Sequence, residues 1–283
     1  MFLVDLNQIT LSNLLGGLKG HTNVPIEEGM IRHMILNSLR FNRQRFYREY
    51  GEPILCCDNS NYWRKKVFPH YKANRKKYQQ QSELNWNDIF TFLNRVKQEL
   101  KDHFPYKVID VETAEADDII GTLVHEFGMI YPTDISDEIL ILSGDKDYIQ
   151  LQIYNNVVQY DPIRKRWIMH EEPDVYLFEH ILKGDTGDGI PNILSADDCL
   201  VTGIRQKNMT QKRIDGFHDN PKTLDDTHYK RNEQLINLGK IPSDLKAKIM
   251  IQYHTENKIG RSRLIPYFIH YKLKNLLENL SEF

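Results

Sequence analysis

The sequence predicts an α/β protein: a mostly parallel central sheet flanked by helices, followed by a C-terminal all-helical subdomain. Three observations carry that reading. Apolar runs end in aspartate at Asp5 ("FLVD"), at Asp58 ("ILCCD") and at Asp145 and Asp147 ("ILILSGDKD"). Such near-continuous Ile/Leu/Val runs suit parallel strands buried on both faces. Helical patterns separate them, and beyond about residue 175 the pattern is wholly helical, which together indicate a parallel sheet with helices on its faces. The expected division is 1–175 for the α/β part and 176–283 for the helical part.

Taken in order, "FLVD" is the first strand. Ile26, Met30, Met34, Ile35 and Leu39 recur at helical spacing before "ILCCD", and Trp86, Phe90, Leu93, Val96 and Leu100 do so after it. A short strand "YKVIDV" then precedes a helix whose N-cap is expected at Thr113. After "ILIL" the runs "NVVQYDP" and "RKRWIMH" read as a hairpin extending a sheet edge. The remaining segments, from "DVYLFEHILKGD" to the amphipathic tail "RLIPYFIHYKLKNLLENLSEF", read as helices, except for a polar stretch at 205–230 expected to be a loop.

At 283 residues the chain can bury a large core without disulfides. Its three cysteines, Cys56, Cys57 and Cys199, fit neither a disulfide framework nor a zinc site and are expected to be buried thiols. No apolar stretch approaches the roughly 18 residues of a membrane span, and the N-terminus lacks signal-peptide features. A soluble, cytoplasmic protein is expected. The net charge of −2 conceals segregation by sign: from Arg64 to Lys77 there are seven Lys/Arg and no acid, whereas acids gather in 110–118, 134–147 and 171–188. Acids holding metal ions beside a basic groove would produce that distribution.

In open parallel sheets, ligands bind beyond the carboxyl ends of the strands. Asp5, Asp58, Asp145 and Asp147 would therefore share one crevice, joined by Glu115, Asp117 and Asp118 from the start of the helix in "ETAEADD". The turn "KGDTGDGIP" could add Asp185 and Asp188. Acids in a first helical turn are ordinarily explained by the helix dipole; it is the convergence that asks for more. So many carboxylates cannot all stay ionised without counter-charge. Oxygen-only ligands favour Mg²⁺ or Mn²⁺, and two such ions about 3.5–4 Å apart activate water for phosphodiester hydrolysis.

The basic run interleaves Arg64, Lys65, Lys66, Lys72, Arg75, Lys76 and Lys77 with Tyr62, Trp63, Phe68, Tyr71 and Tyr78. Basic side chains contact phosphate and aromatic faces stack on unpaired bases. Beside an acidic crevice, that alternation points to a nucleic-acid channel.

The order of the Asp-tipped first strand, "CDN", "YKANR", "EADD", "SGDKD" and "GDTGDGIP" resembles the 5′ nucleases. These comprise the flap endonucleases, the 5′-exonuclease domain of bacterial DNA polymerase I and bacteriophage relatives. "NYWRKK…YKANR" lies nearest the ribonucleases H of T-even bacteriophages. The resemblance implies the PIN/5′-nuclease-like fold and a basic arch at about 60–85. It also implies a helix–turn–helix-like duplex-binding part at 176–283. It places two Mg²⁺ ions, for which Mn²⁺ can substitute, on Asp5, Asp58, Glu115, Asp117, Asp118, Asp145 and Asp147, with Asp185 or Asp188 completing the second site. Lys72 and Arg75 would act on the scissile phosphate, Tyr71 would stack on a flipped base, and Arg64 would contact backbone phosphate, as would Lys65, Lys66, Lys76 and Lys77. The implied activity is 5′→3′ exonuclease and flap-endonuclease cleavage of RNA/DNA or DNA/DNA duplexes, removing RNA primers and 5′ flaps in phage replication. The implied partners are nicked, gapped or flapped duplexes, a single-strand-binding protein and a sliding clamp; a monomer in the host cytoplasm is expected.

Two departures stand out. The family's "GDxxDNIPGVxGIG" becomes "GDTGDGIPNILSADDCLVTGI": the usual Asn is Gly189 and the glycine hairpin that grips duplex is not readable; no N-terminal extension of the kind relatives use to reach replication partners is expected. Two alternatives compete. A metal-dependent phosphotransferase or phosphatase with an aspartyl nucleophile would be expected to place a second Asp two residues beyond Asp5, where Asn7 stands. A catalytically silent nucleic-acid-binding module would gain nothing from carboxylates that repel phosphate.

Overall fold

The computed structural model describes residues 1–17, 27–130, 138–220, 224 and 226–283, leaving aside the side chains of Lys77, Tyr78 and Asp226. Six strands form one sheet: β1 (Phe2–Asp5), β2 (Pro53–Cys56), β3 (Lys107–Ile109), β4 (Ile139–Leu142), β5 (Val157–Asp161) and β6 (Arg166–Ile168). Their spatial order is β3-β2-β1-β4-β5-β6. All neighbours are parallel except β5 and β6, the expected hairpin. The order reverses direction between β1 and β4, and at such a switch point the connections leave on opposite faces and open a crevice.

Side-chain alternation divides the sheet between two cores. Phe2, Val4, Leu55, Leu140 and Leu142 face one layer with α2 (Glu28–Tyr50), α5 (Trp86–His103) and α12 (Leu264–His270). Leu3, Cys56, Ile139 and Ile141 face the other, with α6 (Ala116–Phe127) and α11 (Ser243–His254). Asp5 continues the Leu3 side, which puts its carboxylate on the α6 face. The last strand ends at Ile168, and helices follow from Pro173. The helical part nonetheless completes both cores, through Leu238, Leu245 and Ile249 on one side and Leu264, Phe268 and Phe283 on the other.

Several expectations need adjustment. The buried stripe of α2 is Ile31, Ile35, Leu36 and Leu39, with Met30 44% exposed, and Ile26 lies outside the described residues. On α5 the stripe is Ile89, Phe92, Val96, Glu99 and Leu100. Glu99 is tolerated there because Arg32 meets it at 2.8 and 2.9 Å and the Tyr267 and Tyr271 hydroxyls donate to it. Within 205–230, α9 (Gln211–Asp219) and the first part of α10 (Asp226–Ile236) replace the expected loop, while 221–223 and 225 lie outside the described residues. Ile214 of α9 is buried with Leu182 and Ile193, burial that 205–230 alone does not reveal. The three cysteines are free and buried. No helix among the described residues is long and apolar enough to cross a membrane.

Candidate active site

The acids at the strand ends converge on the switch point. Asp5 closes β1, accepting from the Gln8 backbone N–H at 3.0 Å and from Ser143 Oγ at 3.1 Å. Asp58, just past β2, accepts from the Ala116 N–H at 2.7 Å, so a carboxylate from another element sits on the positive end of α6. Beyond β4, Asp145 accepts from the Asp147 N–H at 3.0 Å, and buried Gln159 ties that loop to β5 by donating to the Ser143 and Asp145 carbonyls. Asp117, in the first turn of α6, has Asp145, Asp147 and Asp5 as its strongest charged neighbours.

Crowding and burial raise the affinity of this group for protons. Burial, then Asp58 and Asp145, push Asp5 up to about 7. Burial and Asp145 push Asp147 up to about 8. Asp117 is held well above the carboxylate range by its largely dehydrated setting and by Asp145 and Asp147; Asp58 is raised chiefly by its own dehydrated setting, and Asp145, more open to solvent, is raised with Asp188 and Asp185 as like-charged neighbours. Each like charge makes the next ionisation harder, and a divalent cation relieves the whole group at once.

Not every strand-end aspartate takes part. Asp110, after β3, is neutralised by Lys97 at 2.9 Å and Lys101 at 2.7 Å. Asp161, closing β5, accepts from the Ile163 and Arg164 backbone N–H groups. Asp161 also pairs with Arg164 at 3.2 Å, whereas Asp5, Asp58, Asp117 and Asp145, nearest the switch point, have no Lys or Arg ion-pair partner among the described residues.

The second half of "ETAEADD" is arranged differently from expectation. Thr113 is not the N-cap; it sits in the preceding turn at φ 72°, and Glu115 caps α6. Asp118 closes the capping box by accepting from the Glu115 N–H at 2.9 Å. Its carboxylate also accepts from Trp63 Nε1 at 3.1 Å and pairs with Arg64 at 2.8 Å, with no exposed surface. Asp118 is therefore turned into the protein rather than toward the crevice. A helical residue three positions past a cap points back along its own helix, and Trp63 and Arg64 hold it there.

The basic segment, expected as an arch, is docked against the helical part. It comprises α3 (Arg64–Val67) and α4 (Ala73–Gln81), and Phe68 and Tyr71 are buried against Ile181 of α7 (Pro173–Lys183) and Leu235 of α10. Arg64 is buried, pairing with Glu115 at 2.9 Å and donating to the Leu235 carbonyl at 2.8 Å. It cannot reach a backbone phosphate from that position. Tyr71 is 2% exposed, and its hydroxyl lies 2.9 Å from Glu115 and 2.8 Å from Asp188, sharing its one proton between the two carboxylates, so its ring face is not open to a base here. Lys72 pairs with Glu115 and lies 3.6 Å from Asp188, which Arg75 also holds. Burial works against the Lys72 charge, but Asp188 and Glu115 outweigh it and raise its pKa. Burial likewise opposes the Glu115 charge, yet Lys72 and Arg64 hold that carboxyl below its usual range. Lys65, Lys66, Arg75 and Lys76 are exposed beside this cluster; the Lys77 side chain lies outside the described residues.

The loop of Asp185 and Asp188 presses onto this segment. Lys72 N–H donates to the Asp188 carbonyl at 2.7 Å, and Asn74 donates to the Thr186 carbonyl at 2.6 Å. Gly189 makes the approach possible: it sits at φ +74°, and a Cβ there would meet the His70 carbonyl at 2.9 Å.

One residue at the site was not anticipated. His180 of α7 places its ring beside Asp147 and Asp185, and one ligand atom from each of the three lies within 4.8 Å of the others. In sequence it looks like any helical histidine inside "FEHILKGD". Its only signal is its place five residues before Asp185, one helical turn and a cap away.

The donor set suits divalent ions. Asp5, Asp58, Asp117 and Asp145 offer oxygen alone, with more negative charge than their neighbours balance, and Asp147, His180 and Asp185 can coordinate a further ion.

This combination of a switch-point crevice, converging acids and a docked basic segment defines a metal-dependent phosphodiester hydrolase of the 5′ nuclease type. Residues 23–177 match the family described as 5′-3′ exonuclease, N-terminal resolvase-like domain, and residues 171–283 match that described as T4 RNase H, C terminal. The chain belongs to the 5′ nuclease family. It is similar to the ribonuclease H of Enterobacteria phage T4, at 31% identity over 99% of this chain and 95% of that one. A flap endonuclease of Shewanella pealeana is 30% identical over 46% of this chain and 48% of its own. Among solved structures, a bacteriophage T5 flap endonuclease in a pseudo-enzyme–product complex with DNA and metal ions superposes with a TM-score of 0.63 at 16% identity, covering 90% of this chain and 99% of that one. The same phage's 5′-exonuclease with zinc bound gives 0.59 at 16% identity, over 89% and 97%.

Proposed function

We propose that the protein is a Mg²⁺-dependent, structure-selective 5′ nuclease. It acts as a 5′→3′ exonuclease and flap endonuclease on nicked, gapped or flapped DNA/DNA and RNA/DNA duplexes, removing primers and flaps from replication intermediates. The observation that carries this reading is the convergence of Asp5, Asp58, Asp117, Asp145 and Asp147 at the switch point, within reach of the cations Lys72 and Arg75. PIN-like kinship fits the same sheet order.

Two bound ions, for which Mn²⁺ can substitute, would supply a water of lowered pKa and neutralise charge on the phosphate. Asp5, Asp58, Asp117 and Asp145 would hold one, and Asp147 and Asp185, with His180 beside them, the other. Asp188 and Glu115 serve as anchors for Lys72 and Arg75. When a phosphate arrives, those two cations can exchange carboxylate partners for phosphate oxygens and stabilise charge developing in the transition state. Tyr71, bonded to Glu115 and Asp188, orders both carboxylates; stacking on a base would require it to leave them. Lys65, Lys66, Lys76 and Lys77 would track the backbone, and residues 176–283 would contact duplex. A single-strand-binding protein and a sliding clamp are proposed partners of a monomer.

The test is cleavage of a 5′-labelled flapped duplex in Mg²⁺, in chelator, and with Asp145→Asn. Short 5′ products only in Mg²⁺ with the unaltered chain are expected, and their absence there refutes the reading. Lys72→Ala should lower turnover by about 10²–10³ with little change in substrate affinity. A pure affinity loss would reduce Lys72 to a phosphate anchor.

A further inference from the structure

Two carboxylates flank the His180 ring, one at each nitrogen: Nδ1 lies 3.6 Å from Asp147 Oδ1 and Nε2 lies 3.7 Å from Asp185 Oδ2. Nδ1 is fully shielded from solvent and has no hydrogen-bond partner. A shielded ring nitrogen without a partner is costly unless something else engages it. Among the described residues, Asp147, His180 and Asp185 are the one set of three His, Cys, Asp or Glu whose candidate ligand atoms lie within 4.8 Å of one another; Asp5, Asp58, Asp117 and Asp145 offer no ring nitrogen, and their oxygens are not gathered so closely.

We propose that the two metal positions are chemically unequal, with His180 supplying an imidazole nitrogen to the ion held by Asp147 and Asp185. This rests on the metal-dependent nuclease reading and adds a metal preference to it. Imidazole is a borderline donor that transition ions bind well, whereas Mg²⁺ takes oxygen donors and keeps its waters. The nitrogen-bearing position therefore favours Mn²⁺ and similar transition ions over Mg²⁺, and the all-oxygen position accepts either. His180 is suited to the role by its backbone as well. It lies in the last turn of α7, where the Gly184 N–H donates back to its carbonyl at 2.8 Å and fixes the helix end.

The experiment is to strip the full chain of metal, add two molar equivalents of Mn²⁺ and record its pulsed EPR spectrum. Modulation from a directly bound imidazole nitrogen is expected. It should vanish in His180→Ala, with Mn²⁺ affinity at the nitrogen-bearing position falling about 10–100-fold and Mg²⁺ affinity falling less by calorimetry. In His180→Asp a second ion should still bind, without nitrogen modulation and with a narrower gap between Mn²⁺ and Mg²⁺. Two bound Mn²⁺ ions with no nitrogen modulation in the unaltered chain would overturn the proposal, as would modulation that survives in His180→Ala. The unaltered chain alone can thus decide against it, whatever the variants' folding. A flap-cleavage assay on the same sample separates the two levels: cleavage without nitrogen ligation sinks only the inference, whereas no cleavage with any divalent ion sinks the nuclease reading beneath it.

Discussion

Replacing Arg64 with alanine distinguishes a phosphate contact from a buried counter-ion. The guanidinium is 3% exposed, pairs with Glu115 at 2.9 Å and with Asp118 at 2.8 Å, and donates to the Leu235 carbonyl at 2.8 Å. Glu115 would keep Lys72 and Tyr71 after the substitution, but Asp118 would be left fully buried with only the Trp63 and Glu115 N–H groups. Removing one member of a buried pair typically costs about 3–5 kcal/mol, because an uncompensated charge stays behind. For a chain of this size about 2 °C is lost per kcal/mol, so a drop in Tm of roughly 6–10 °C is expected. Thermal and urea unfolding monitored by circular dichroism measure it, beside the affinity for a flapped duplex at two salt concentrations. Arg64→Ala, Asp118→Asn should recover part of the loss, since the orphaned charge is removed with its partner. A variant that melts within about 1 °C of the parent but shows a weaker salt dependence of binding would refute the argument and return Arg64 to the phosphate-contacting set.

Two other expectations follow from the same geometry. Asp5 at about 7 and Asp147 at about 8 both lie above the ordinary carboxylate value of roughly 4, so their contribution to stability is complete below that value and is lost as pH rises through about 7–8. Glu99 and Glu115 are depressed and stay ionised throughout this window, so they do not offset the trend. With chelator, Tm should fall between pH 5.5 and 8, and Mg²⁺ should restore it most at the higher pH; a chelated Tm that is flat or rises contradicts the assignment. Gly189→Ala should destabilise by about 1–2 kcal/mol from the left-handed backbone alone. It should also slow flap cleavage, because the new Cβ meets the His70 carbonyl at 2.9 Å and separates the Asp188 loop from Lys72; parent-like melting and turnover would show that this contact does not position the cations.

The fold class was legible because strands buried on two faces must be apolar at every position, and three such runs ended in aspartate. The family motifs were legible for a related reason: each is a short local string. Burial partners were another matter. Asp5, Asp110 and Asp161 look alike as acids at strand ends, and only the packing of α5 against β3, which brings Lys97 and Lys101 to Asp110, separates the neutralised one from the crevice acid. Glu99 broke the apolar stripe of α5 for a reason that lies in Arg32, Tyr267 and Tyr271.

What the sequence by itself determined is the sheet with acids at its carboxyl edge and the segregation of seven cations from them. Both follow from local periodicity and local charge, which need no knowledge of distant contacts. The tertiary structure decided which groups face the crevice. It turned Asp118 inward, buried Arg64 and Tyr71, paired Lys72 with Glu115, and brought His180 to Asp147 and Asp185. The physical reason is that the state of a charge depends on its solvent access and its neighbours within a few ångströms, and those neighbours come from chain segments far apart in sequence.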